Sequence, residues 1–413
     1  MEVKEASAGY LRTTGYEQTE VGVIPEDWEV YSIQELIDRN AIIGHLDGNH
    51  GELYPRSHEF RESGVPYITA NDFSGHKVSF SNCKYLSVER ARRFRKGIAR
   101  DGDVLFAHNA TVGPTALLST EFDYVILSTT ATYFRCNRER LINSFFLYEL
   151  QSPFFVRQYR AVMAQSTRNQ VPITAQRKLF VVLPPTKAEQ EAIAEALSDA
   201  DVLIASLEQL ITKKRHLKQG AMQQLLTGKK RLPGFGGEWE AKRLGEIVTA
   251  NKGSQLSSSS LSEYGRFAHL NGGISPSGYT DKANVPGDTI AISEGGNSCG
   301  YVQFMPEPYW CGGHCYSVIP NGVDNHFLYH ALKGEEPSIM GLRVGSGLPN
   351  VQKTAFLAFK LRCPKTSEEQ TAIATVLSDM DAELAALEAK LAKARHLKQG
   401  MMQELLTGRI RLV

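Results

Sequence analysis

TKAEQEAIAEALSDADVLIASLEQLITKKRHLKQGAMQQLLTGKKRL, residues 186–232, returns at 366–412 as TSEEQTAIATVLSDMDAELAALEAKLAKARHLKQGMMQELLTGRIRL, at a constant offset of 180 residues without a gap. Self-similarity of this length marks one structural unit used twice. In the first copy apolar residues fall at Ile193, Leu197, Ala200, Ile204, Leu207 and Ile211, then at Ala221 and Leu225. The second copy repeats the steps from Ile373 and Leu377 to Met401 and Leu405. Alternating steps of four and three are a heptad seam, which requires a partner helix rather than a broad core. Thr186 with Glu189, and Thr366 with Glu369, have the spacing of a capping box, each behind a proline. Gly228 and Gly408 stand where a glycine cap ends a helix. A helix over about 187–227 would extend roughly 60 Å at ~1.5 Å per residue.

The charges predict how the two helices pair. Six acids (Glu189, Glu191, Glu195, Asp199, Asp201, Glu208) occupy the first half of the first copy, and seven bases from Lys213 to Arg231 occupy the second half. The second copy repeats the split, with Glu404 as its exception. Parallel helices would set acid beside acid along the seam, whereas antiparallel helices set each acidic half beside a basic half. The expectation is an intramolecular antiparallel coiled coil.

The chain of 413 residues is long enough for two to three domains, and 42% hydrophobic with 22% charged residues is ordinary soluble composition. No signal peptide is visible, and no apolar run approaches the ~18 residues needed to span a membrane. Six scattered cysteines fit a reducing cytoplasm better than a disulfide framework, so no membrane association and a cytoplasmic location are expected. A formal net charge of +1 leaves any nucleic-acid binding to local patches or to a basic partner, and neither supports nor excludes it.

A weaker repeat aligns DWEVYSIQELI (27–37) with EWEAKRLGEIV (238–248), matching Trp28 with Trp239. The expected order is a polar arm (1–27), a globular segment (28–183), the first long helix (184–232), a shorter globular segment (233–363) and the second long helix (364–413). Strand-like runs at 65–69, 103–107, 132–136 and 179–183, and helical runs at 145–149 and 154–164, make the fold class mixed α+β, with long polar loops.

Two landmarks recur in both globular segments. His108-Asn109-Ala110-Thr111 follows one strand-like run and Ser293-Glu294-Gly295-Gly296-Asn297 follows its counterpart. Ser166-Thr167-Arg168-Asn169-Gln170 lies 180 residues before Ser346-Gly347-Leu348-Pro349-Asn350. Such side chains can bind phosphate oxygens and base edges, with Asn or Gln suited to adenine and Arg to guanine. They are equally the ordinary turn residues. The candidate DNA-binding set is Asn71, His108, Asn109, Thr111, Arg168, Asn169 and Gln170 in the first segment. In the second it is Asn271, Ser293, Asn297, Ser346 and Asn350.

No phosphate loop, dinucleotide fingerprint or His-Glu-x-x-His motif is present, and the one Pro-Pro, Pro184-Pro185, lacks the Asn/Asp-Pro-Pro-Tyr/Phe context of a methyltransferase. Cys311-Gly-Gly-His314-Cys315 lacks a second ligand pair for structural zinc and reads as a packed strand, so no metal is expected. The basic helix stretch with Lys214, Arg215, His216 and Gln219, and its counterpart with Arg395, His396 and Gln399, reads either as a solvated helix end or as a docking surface.

Two dissimilar globular segments, each followed by a near-identical helix ending in HLKQG-x-MQ-x-LLTG, resemble the specificity (S) subunit of type I restriction-modification enzymes. TEVGVIPEDW (19–28) and the Glu-Gln-x-x-Ile helix starts at Glu189 and Glu369 belong to the same resemblance. It implies two target-recognition domains that each read half of a split double-stranded DNA sequence. It further implies helices that separate the halves and dock two methyltransferase subunits, with restriction/translocase subunits as further partners. The chain itself would be non-catalytic and bind no cofactor; S-adenosylmethionine, ATP and Mg2+ would be used by the partners.

Overall fold

A computed structural model describes residues 15–165, 168–345 and 347–412. Candidate residue Ser346, together with Ser166, Thr167 and residues 1–14 of the arm, lies outside the described residues. Residues 15–27 of the arm form an antiparallel hairpin, Tyr16–Gln18 with Val23–Pro25. No described helix is long and apolar enough to cross a membrane.

The two repeat stretches fold as helices Lys187–Leu225 and Ser367–Leu405, each of 39 residues. The chain divides into two compact units, one made of residues up to Glu208 together with those from Lys390 onward, the other of Gln209–Ala389. Each unit therefore holds the start of one long helix and the end of the other.

In the first unit Ile193 and Leu197 of the first helix, with Leu405 and Leu406 at the end of the second, share a core with Trp28, Phe145, Phe146 and Phe155. In the second unit, Leu225 shares a core with Trp239, Phe327, Ile373 and Leu377. Full burial of one such Leu or Ile contributes roughly 1.5–3 kcal/mol, so these residues anchor the helix ends to the globular parts.

The pairing is antiparallel in both units, and the ion pairs follow the charge split. In the first unit Arg395 meets Glu208 and Lys398 meets Asp201, both at 2.6 Å. In the second, Arg215 meets Glu388 and Lys214 meets Glu383, also at 2.6 Å, and Lys218 pairs with Asp381.

Both helix starts correct the capping-box expectation by half. Thr186 Oγ1 accepts from the Glu189 amide at 3.2 Å and Thr366 Oγ1 from the Glu369 amide at 3.4 Å. The carboxylates that would complete the boxes instead receive arginines from the end of the other helix, Arg411 on Glu189 and Arg231 on Glu369. Each arginine also lies over the tryptophan of the weaker repeat, Arg411 over Trp28 and Arg231 over Trp239. Both helices end as predicted on left-handed glycines, Gly228 (φ 69) and Gly408 (φ 66).

Each globular part opens and closes on one short antiparallel pair. Glu29–Ser32 pairs with Phe180–Leu183, and Glu240–Arg243 with Lys360–Cys363, so the strand entering after the tryptophan lies beside the strand leading into the long helix. The first unit carries a six-stranded sheet built around Val104–Asn109, which sits between Ala131–Cys136 and Thr111–Leu117, and a five-stranded sheet built around Val65–Ile68. The second unit has a four-stranded sheet around Thr289–Ser293 and Cys315–Pro320 and a three-stranded sheet around Phe267–Leu270. The helical runs are observed as Asn143–Glu149 and Pro153–Ala164. Thr111, read from the sequence as part of a loop, begins the strand Thr111–Leu117, because Ala110 at φ 64 closes a tight hairpin just before it.

Candidate nucleic-acid interface

The two landmarks, about 60 residues apart in sequence, meet in each unit. In the first, Asn109 bridges to Gln170, the Ala110 amide donates to Asn169 O at 2.9 Å and the Val171 amide to His108 O at 2.8 Å. In the second, Gly295 bridges to Asn350, the Gly296 amide donates to Pro349 O at 2.9 Å and the Val351 amide to Glu294 O at 2.8 Å. The same three-point clasp therefore closes the end of the central strand in both units, although the residues differ.

Around the first clasp the edge is extended by residues that the sequence did not single out. Asn109 Nδ2 donates to Thr129 O at 3.3 Å, and the Ala70 amide donates to Thr130 Oγ1 at 2.9 Å. The second bond sets the Ala70–Asp72 turn, which carries exposed Asn71, beside Asn109. The Ser128-Thr129-Thr130 run between Val125–Leu127 and Ala131–Cys136 was the available signal, a hydroxyl cluster joining two buried strands. Asn71, Thr111, Arg168 and Asn169 are exposed, and Asn109 and Gln170 are half-buried.

His108 differs from these neighbours. It is buried, and neither ring nitrogen has a hydrogen-bond partner among the described residues. Burial pushes its pKa below the usual histidine value, which favours the neutral ring.

In the second unit Asn297 and Asn350 are exposed and Asn271 is half-buried, with its Oδ1 accepting from the His314 amide at 3.0 Å. Ser298 Oγ donates to Gly272 O at 2.9 Å, which brings the Asn271 and Asn297 loops together. Ser293 is buried and turns its hydroxyl onto Gly295 O at 3.3 Å, so it shapes the loop. Glu294, not singled out from the sequence, accepts from Lys252 at 2.7 Å and from the Tyr316 hydroxyl at 2.8 Å, fixing the base of the clasp. Cys311 and Cys315 are buried on consecutive strands that belong to different sheets, and no group of three or more described His, Cys, Asp or Glu is placed to hold a metal.

On the helices, three of the seven docking candidates are engaged internally: Lys214, Arg215 and Arg395 pair across the helices. His216 and Gln219, and their counterparts His396 and Gln399, are exposed beside Leu217 and Leu397, which are 52% and 60% exposed. Gln219 also lines a cleft of about 740 Å³ in the second unit with Met222, Leu226, Lys333 and Arg362.

Known proteins resemble this chain in sequence and in fold. The sequence model described as Type I restriction modification DNA specificity domain matches residues 25–214 and 236–394. A Methanocaldococcus jannaschii protein named "Putative type I restriction enzyme MjaX specificity subunit" is 25% identical over 98% of each chain. A Mycoplasma pneumoniae protein named "Putative type I specificity subunit S.MpnORF638P" is 32% identical over 41% of this chain and 46% of its own. The fold is shared with the S subunit of an M. genitalium type I restriction-modification system, at TM-score 0.66 and 19% identity over 92% of this chain and 96% of that one.

Proposed function

The chain belongs to the type I restriction-modification DNA specificity family, and from that membership we propose that each unit reads one half of a split double-stranded DNA target while partners perform the chemistry. The observation that supports a two-part reading is the repeated clasp, Asn109 with Gln170 and Gly295 with Asn350, which sets different residues at the same position of two related folds. Exposed Asn71, Thr111, Arg168 and Asn169, with half-buried Asn109 and Gln170, read bases in the first unit; Asn271, Asn297 and Asn350 do so in the second. Amide side chains offer paired donors and acceptors that match the major-groove edge of adenine. His108 and Ser293 support these loops from beneath.

The two helix stretches around His216, Leu217 and Gln219 and around His396, Leu397 and Gln399 dock two copies of one methyltransferase subunit, since near-identical surfaces recruit identical partners. Restriction/translocase subunits join that assembly, and S-adenosylmethionine, ATP and Mg2+ act on the partners. The chain is a recognition subunit rather than an enzyme, in a cytoplasmic complex. The test is to incubate the purified chain with duplex DNA and labelled S-adenosylmethionine, with and without a methyltransferase subunit. Label should enter DNA only in the mixture; substantial transfer by the chain alone would contradict the assignment.

A further inference from the structure

Between Val88 and Arg100 the first unit carries six bases (Arg90, Arg92, Arg93, Arg95, Lys96, Arg100) and one acid, Glu89. Arg90 has a structural role: its guanidinium pairs with Glu59, donates to Leu53 O at 2.7 Å and lies over Phe94. It pins the segment to the 51–59 turns. Arg93, Arg95 and Lys96 are exposed and form no ion pair among the described residues. Three unneutralised cations close together on a small rigid segment repel one another, a cost that a polyanionic ligand removes.

The segment is fastened to the reading edge by two glycines. Gly97, at φ 63, lies so close to the Asp47–His50 turn that a Cβ would stand 2.7 Å from Gly48 Cα, and its carbonyl accepts from the Leu127 amide at 2.7 Å. Gly48 lies against the carbonyls of Leu127 and Ser128, where a Cβ would stand 2.2 and 2.1 Å away. His50 Nε2 donates to Leu127 O at 2.7 Å. The next residues, Thr129 and Thr130, are those bonded to Asn109 and to the Asn71 turn.

Arg95 and Lys96 therefore open onto a cleft of about 360 Å³ completed by Asn49, His50, Gly51 and Leu53, next to the base-reading edge. In that turn right-handed His50 precedes left-handed Gly51 (φ 56), and its amides are held internally, Asn49 N–H on Asp47 Oδ1 at 3.2 Å and Gly51 N–H on Asn49 Oδ1 at 3.3 Å, so the turn is a fixed wall of the cleft and the cations supply the attraction. Two acids flank this rim, Glu52 and Asp47.

We infer that Arg93, Arg95 and Lys96, set against the Asn49–Gly51 turn, form a clamp for the phosphodiester backbone of duplex DNA beside the half-site read by the first unit. This rests on the DNA-reading function proposed above and adds where the sequence-independent part of the binding is generated. Phosphate contacts fix register and supply affinity but carry no sequence information, so the clamp sets how tightly the first half-site is held and leaves which bases are read unchanged.

The test uses the full chain assembled with its methyltransferase partner, on one duplex containing the methylated target and one with the target scrambled, over a salt series. Arg95→Ala/Lys96→Ala should weaken both duplexes by the same factor and lower the slope of log K against log salt by about 0.9 for each phosphate no longer neutralised, so by about two for the pair. Adding Arg93→Ala should lower it further, Arg95→Lys should preserve it, and the methylated sequence should stay parental. The parental slope in Arg95→Ala/Lys96→Ala, or a loss confined to the specific duplex, would overturn the clamp while leaving DNA reading intact. A parental complex that binds neither duplex would overturn both.

Discussion

Arg411 grips Glu189 with two parallel hydrogen bonds where both side chains are nearly out of solvent, 8% and 2% exposed. The same guanidinium reaches Asp27 at 2.8 Å and lies over Trp28. It thus joins the end of one long helix to the start of the other and to the globular part of its unit. The pair between Arg395 and Glu208 crosses the same helices at 2.6 Å but with side chains 58% and 47% exposed.

That contrast gives a graded prediction. Arg411→Ala leaves a buried carboxylate without its partner and should cost about 3–5 kcal/mol. Arg395→Ala should cost under ~1 kcal/mol, the usual value of a solvated pair. Urea unfolding of the two variants beside the parent decides it, and equal costs would contradict the division between a buried anchor and a solvated seam.

His45 stacks on Phe134 with ring centroids 4.4 Å apart and sets Nε2 against Gln176 Oε1 at 3.1 Å. Burial lowers its pKa to about 4. His330, in the other unit, is also lowered by burial to about 4. The unfolded chain therefore takes up protons that the folded chain refuses between about pH 6.5 and pH 4, so stability is full above that window and is lost as pH falls through it. Each histidine contributes a slope of about 1.4 kcal/mol per pH unit at most. Unfolding midpoints at pH 7.5 and 5.5 should fall less in His45→Asn than in the parent; parallel falls would show that His45 is not the titrating group.

Gly220 lies inside Lys187–Leu225, and a Cβ built on it meets nothing within 4 Å; Gly400 is its equivalent in the second helix, with the same open space. Glycine inside a helix is destabilising by roughly 0.5–1 kcal/mol relative to alanine. Gly220→Ala should therefore raise the stability of the free chain by about that amount. If the docking surface beside His216 and Gln219 receives a partner closely, the same variant weakens methyltransferase assembly. Thermal unfolding and a pull-down with the partner measure the two effects separately; a destabilised free chain would contradict the open environment.

The long helices were legible because their cause is local and repeated: heptad steps, charge split and terminal glycines each survive in the sequence at the 180-residue offset. The charge split foretold Arg395 with Glu208 and Arg215 with Glu388, since antiparallel pairing is the arrangement that neutralises both halves. Glu189 and Glu369 show where local spacing misleads. It assigns them to capping boxes, whereas arginines 222 and 138 residues away claim their carboxylates. The clasps were only half legible. Composition marked the stretches around Asn109 and Gln170, but their joining depends on strand order, and the inward turn of His108 and Ser293 depends on strand phase. The Ser128–Thr130 hydroxyl run was a weak signal, because its turn-like composition is also that of many ordinary connections.

Both units share the two long helices, so residues inserted in them lengthen what joins the units. One heptad added after Leu207 and another after Leu387 keeps the seam in phase and adds ~10 Å. At ~3.4 Å per base pair the unread gap between half-sites should change by up to about three base pairs, with the bases of each half unchanged. Mapping methylated sites for the inserted variant measures the gap, and an active variant with the parental gap would contradict a spacing role for the helices.

The central claim is that each unit reads its own half of the target. It is tested most directly by replacing residues 28–183 with the equivalent part of another subunit of this family, then mapping every methylated base in DNA from cells making the chimaera with the methyltransferase partner. One half-site should change to that of the donor, while the other half-site stays parental. A target in which both halves change, or neither does, would contradict it.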